Sequence, residues 1–174
     1  MNKLITILLF CCSTANAQHL KFMGLPVNCT FSDFFTELTK RDYNICHCDD
    51  SSEEESYKFN GSYFHEQPYV ITLKVKNNAV EYISLCVDFE DHTEALSEYN
   101  ELVNGTEEKH PEYERVCYIP EKIYGGMGES LEFKPTGNPY EILEIRYVQD
   151  KDEGKTTVTM NYYIERQHNK SDDL

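Results

Sequence analysis

The sequence predicts an α+β fold: a mostly antiparallel sheet of about five or six strands with two helices on one face. Three observations carry this. Phe31, Phe34, Phe35 and Leu38 fall at i, i+3, i+4 and i+7, which is one face of a helix. Residues 69–76 (YVITLKVK) and 79–89 (AVEYISLCVDF) have strand composition and are joined by Asn77-Asn78, which suits a two-residue hairpin turn. Residues 140–149 (YEILEIRYVQ) and 156–164 (TTVTMNYYI) form a second such pair across a polar turn ending in Gly154.

In chain order, the first 17 residues predict export. Met1 to Lys3 give a cationic start, residues 4–12 (LITILLFCC) an apolar run, and Ala15-Asn16-Ala17 a small-x-small cleavage site, so the mature chain begins at Gln18. The apolar run is about half of the ~20 residues that span a bilayer, and no later stretch approaches that length. Acylation of Cys11 or Cys12 is the competing reading. Phe10 argues against it, because a lipidated cysteine ordinarily follows a small residue. Residues 18–166 are expected to form a single α+β domain, with residues 167–174 as a polar tail and no internal repeat that would argue for two domains.

Residues 19–28 (HLKFMGLPVN) read as an opening strand or extended arm. Thr30 then caps the first helix, with Asp33 three residues on, near the positive helix end. Residues 43–48 (YNICHC) read as a strand, 49–55 (DDSSEEE) as an acidic loop and 57–64 (YKFNGSYF) as a further strand. Parity turns Ile71, Leu73, Val75, Ile83, Leu85, Val87 and Phe89 toward the core. It leaves Thr72, Lys74 and Lys76 with Val80, Tyr82, Ser84, Cys86 and Asp88 on the other face. A second helix is expected over residues 93–103, stopped by Asn104-Gly105. Residues 106–139, with four prolines and a Gly125-Gly126-Met127-Gly128 run, predict long loops around one or two short elements.

Composition excludes some functions without choosing one. Hydrophobic residues at 40% and aromatics at 13% fit a folded chain. Once Lys3 leaves with the signal, 15 basic residues face 31 acidic ones, a net charge of −16. Such a polyanion is repelled by nucleic acid and by anionic lipid. Cys29, Cys46, Cys48, Cys86 and Cys117 remain, an odd number, and read mostly as small buried hydrophobes with room for one bridge.

Chemistry-bearing motifs are few. Cys46-His47-Cys48, with His65 nearby in sequence, offers sulfur and imidazole ligands suited to Zn²⁺ or copper. Cys46 and Cys48 would share a strand face while His47 points away, and the second cysteine pair of a structural zinc site is missing. The acidic runs at Asp49-Asp50, Asp88–Asp91 and Asp150–Glu153 do not follow the calcium-loop spacing and read as solvated charge. The chain has no Gly-x-Ser-x-Gly elbow, His-Glu-x-x-His helix or phosphate-binding glycine loop, so no catalytic residue and no cofactor are assigned.

The stretch HLKFMGLP (residues 19–26), with Phe59, Gly61 and Phe64 beyond the phenylalanine-rich helix, resembles a group of secreted proteins of Bacteroidetes-type gut bacteria. Those open on a similar "HLKFMG-x-P" segment after their export signal and continue to an "F-x-G-x-F" strand start, where this chain has Tyr63 in place of the last Phe. The resemblance covers about the first half of the mature chain, and it implies an export compartment and an α+β fold without a catalytic set. The expectation is a non-catalytic binding or interaction domain of the cell envelope, periplasmic or secreted, with a protein, peptide or envelope component as partner. A small extracytoplasmic hydrolase acting on glycan or peptide is the alternative. Tyr82 and Cys86 mark the candidate partner face, since neither suits bulk solvent and some cover over them is expected, from residues 106–139 or from a ligand.

Overall fold

Two short strands, β1 (Lys21–Phe22) and β2 (Leu25–Pro26), open the fold as a hairpin. Met23 and Gly24 turn it with φ of 52° and 87°, so the expected arm doubles back on itself. Leu20, Phe22 and Val27 are buried and anchor it to the core. The computed structural model describes residues 19–49, 55–61, 64–118, 127–138, 140–150 and 152–165. The export segment, Gln18, most of the acidic loop and the polar tail lie outside the described residues, as do the side chains of Cys48 and Cys117.

Helix α1 (Phe31–Lys40) begins as the sequence predicts. Thr30 is extended, and its Oγ1 accepts from the Asp33 N–H at 3.2 Å. Phe34 and Leu38 are buried, and Phe31 stacks on Tyr57 with ring centroids 4.1 Å apart. Phe35 is 41% exposed, so the apolar stripe is narrower than its spacing suggests.

The remaining elements are β3 (Asn44–Asp49), β4 (Glu55–Asn60), β5 (Val70–Lys76), β6 (Ala79–Phe89), α2 (His92–Lys109), β7 (Glu114–Tyr118), β8 (Met127–Lys134), β9 (Glu141–Gln149) and β10 (Thr156–Ile164). Strands β3 to β10 form one eight-stranded sheet in the order β3-β4-β5-β6-β10-β9-β8-β7, with every neighbouring pair antiparallel. The expected count of five or six is therefore too low. The two added strands, β7 and β8, come from the segment expected to be irregular. Strand β8 (MGESLEFK) buries Leu131 and Phe133, but its apolar–polar alternation runs only over residues 130–134 and follows a glycine-rich run that reads as a turn.

Although the sequence shows no repeat, the element order does. A helix followed by four antiparallel strands occurs twice, and the last strand of each unit, β6 and β10, meet at the centre of the sheet. The buried side chains form a single core cluster spanning both units.

Both helices lie on one side of the sheet. Phe31 of α1 stacks on Tyr57 of β4, and Tyr99 of α2 packs edge-on against Tyr147 of β9 at 5.0 Å. Helix α2 is capped by Asp91, whose Oδ1 accepts from the Thr93 N–H at 2.6 Å. It does not stop at Asn104-Gly105. Leu102, Val103 and Thr106 are buried on its inner face, and that packing outweighs the roughly 1 kcal/mol that a mid-helix glycine costs. At its far end β9 carries the buried Glu141, which accepts from the Leu20 N–H and meets His19 Nδ1 at 2.8 Å, tying the start of the domain to the sheet.

The predicted core parity is correct for Ile71, Leu73, Val75, Ile83, Leu85, Val87 and Phe89, all buried. Val80 departs from it. A bulge after Lys74 places Val80 opposite Val75, where it is fully buried, not on the face of Tyr82.

Candidate functional site

With both helices on one side, no helix packs on the opposite face of the sheet among the described residues. Antiparallel partners share a face, so the register arranges this surface as rows. One row runs Lys74, Tyr82, Tyr163, Ile142. The next runs Lys58, Thr72, Ser84, Asn161, Glu144, Glu132. A third runs Val70, Cys86, Thr159, Arg146, Ser130.

A hydrogen-bond ladder crosses four of these strands. Tyr82 OH donates to Asn161 Oδ1 at 2.9 Å, and Asn161 Nδ2 donates to Glu144 Oε2 at 2.7 Å. Ser130 Oγ donates to Glu144 Oε1 at 2.8 Å. Asn161 is 2% exposed, so these bonds satisfy groups that water reaches poorly and lock the side chains in place.

Beside the ladder lies a cleft of about 400 Å³ lined by Lys74, Tyr82, Glu144, Arg146 and Tyr163, among others. Lys74 Nζ stands 5.3 Å from the centre of the Tyr82 ring, within reach of a cation–π attraction. Arg146 Nη1 is 4.0 Å from Glu144 Oε1, too far for a hydrogen bond, and its buried Nε has no partner among the described residues. The guanidinium is thus incompletely satisfied by the protein. Lys58, Lys74, Lys76 and Arg146 all stand on this face, in a chain of net charge −15.

Tyr82 and Cys86, singled out in the sequence, stand on the same face with the Ser84 row between them, and both are half-buried. The described parts of residues 106–139 extend the helix and the sheet as the end of α2, β7 and β8. Burial pushes the Tyr82 hydroxyl above its ordinary range. Burial and the nearby Asp88 carboxylate push the Cys86 thiol up, against the opposing pull of the Thr159 hydrogen bond and of Arg146 and Lys58. A raised thiol favours the protonated form in the folded chain, so its contribution to stability is full below the ordinary thiol range and is lost as pH rises through the folded-state value. Cys86 will therefore alkylate more slowly at pH 8 than exposed Cys46, and the gap will narrow as pH rises. Mass-mapped iodoacetamide labelling measures this, and equal rates at pH 8 would contradict the buried environment.

Sequence reasoning missed Asn161, Glu144, Arg146 and Tyr163. Each sits on the more polar parity of its strand, but only the β6–β10 pairing brings them to Tyr82.

The cysteine metal set does not assemble among the described side chains. The register of β3 shifts between Ile45 and His47, so Cys46 sits at a bulge that breaks the alternation expected between Cys46 and Cys48. Cys46 is exposed, and its Sγ donates to the Lys58 carbonyl at 3.5 Å. Cys29, Cys46 and Cys86 are free thiols, the first and last half-buried. His65 instead gathers with Glu98 and Glu101 of α2, their ligand atoms within 4.8 Å of one another.

Among the described residues no helix is long and apolar enough to cross a membrane. No family model, curated protein or solved structure matches the chain.

Proposed function

We propose that this chain is an exported, non-catalytic binding domain of the cell envelope that holds a carboxylate-bearing peptide segment across the open face of its sheet. The observation that carries the reading is the grouping of Lys74, Lys76 and Arg146 with Tyr82 and Tyr163 around one cleft on that face, with Lys58 further along it. Tyrosines offer large, rigid contact area at little entropic cost, and an incompletely satisfied guanidinium suits a carboxylate. The ladder favours binding over hydrolysis. Asn161 and Glu144 satisfy one another, which stiffens a surface but leaves Glu144 doubly hydrogen-bonded and poorly placed to move protons. Export rests on the first 17 residues and on the resemblance to secreted bacterial proteins.

Selection from a random peptide library displayed on phage, against the purified mature chain, tests the reading. Enriched peptides should be acidic and should slow alkylation of Cys86, which shares the face. Enrichment of basic peptides, or acidic binders that leave Cys86 labelling unchanged, would contradict it.

A further inference from the structure

We infer that His65, Glu98 and Glu101 form a site for one divalent transition-metal ion. Glu98 and Glu101 are three residues apart on α2 and so share a helix face, and His65 reaches them from the connection between β4 and β5. Their ligand atoms lie within 4.8 Å of one another. Donors set tetrahedrally around a zinc ion at about 2.0–2.2 Å stand roughly 3.3–3.6 Å apart, so closure asks for a shift on the order of one ångström. His65 and Glu101 are exposed and free to make it.

Glu98 gives the cluster its direction. Its side chain is only 6% exposed, yet Tyr69 OH at 2.8 Å and His65 Nδ1 at 3.0 Å both bond to Oε1. Its Oε2 takes no hydrogen bond among the described residues, and Glu98 lines a cleft of about 480 Å³ together with His65 and Glu101. A carboxylate held this firmly, with one oxygen still free at the cleft, is a preformed ligand for a cation. The Tyr69 hydroxyl donates to Glu98 Oε1 and holds the carboxylate in orientation, as an outer donor does around a metal.

One imidazole and two carboxylates suit zinc and manganese among first-row divalent ions. Three protein donors would leave a tetrahedral ion's fourth position facing the cleft. None of the residues lining this cleft lines the one on the open face, so the inference is independent of the peptide-binding proposal.

Calorimetric titration of ZnCl₂ into the chelator-stripped mature chain tests it. His65→Asn tolerates the left-handed backbone at this position, where φ is 51°, and Glu101→Gln alters an exposed side chain, so both variants keep the fold, as circular dichroism will verify. The expected result is one zinc per chain, affinity at least tenfold weaker in each variant, and unchanged affinity in a Cys46→Ser, Cys48→Ser double variant. Absence of stoichiometric binding, binding that survives both His65→Asn and Glu101→Gln, or binding lost with the cysteines would overturn the assignment.

Discussion

Replacing Leu38 with alanine will lower the stability of the folded chain by about 2–5 kcal/mol. Leu38 is 0% exposed, on the inner face of α1, in the cluster that also holds Phe34, Phe59 and Leu73. Truncation removes its buried methyl groups and leaves a cavity that β4 and β5, fixed by their ladders, can only partly close. The chain has no tryptophan, so denaturant unfolding followed by circular dichroism is the suitable measurement. A loss below about half a kcal/mol would place the stripe at the surface, in the range of ordinary exposed substitutions.

The second large effect is expected in β8. A methyl group added at Gly128 would be driven into the Tyr147 carbonyl oxygen of β9, a backbone atom that cannot yield without breaking the β8–β9 ladder. Gly128→Ala should therefore cost about 1–3 kcal/mol or more. Gly105, within α2, has nothing within 4 Å of the equivalent position, and Gly105→Ala should stabilise the chain by up to about 1 kcal/mol. Equal effects from the two substitutions would mean that β8 does not pair with β9 in this register.

These two glycines also mark where the sequence is legible. Local signals suffice for α1, with its Thr30 cap and buried Phe34 and Leu38, and for β5 and β6 around the Asn77-Asn78 turn, where both residues adopt positive φ. They fail where tertiary packing decides. Gly105 looks like a helix stop, but buried Leu102, Val103 and Thr106 carry the helix through it. Strand β8 hides its character because its alternation is short and follows a glycine run, and Val80 changes sides because a bulge inserts a residue that alternation cannot foresee.

The candidate site follows the same rule. Tyr82 and Cys86 stand out in the sequence as misfits on a polar parity, but their neighbours Asn161, Glu144 and Arg146 arrive through β10 and β9. No local pattern announces a pairing between strands separated by a helix and three other strands. His65 illustrates the opposite error. Its nearness in sequence to Cys46 and Cys48 suggested a sulfur site, whereas the fold carries it to Glu98, 33 residues away.

The claim that the open sheet face binds a carboxylate-bearing segment is most directly tested by charge reversal. An acidic peptide enriched by phage selection would be titrated into the wild-type chain and into Lys74→Glu and Arg146→Glu variants. Lys74 is exposed, so its replacement leaves the core untouched, while Arg146 lines the cleft itself. Loss of a favourable ion contact together with a new like-charge repulsion should weaken binding by roughly tenfold or more in each variant. Unchanged affinity in both would contradict the assignment of this face as the binding surface.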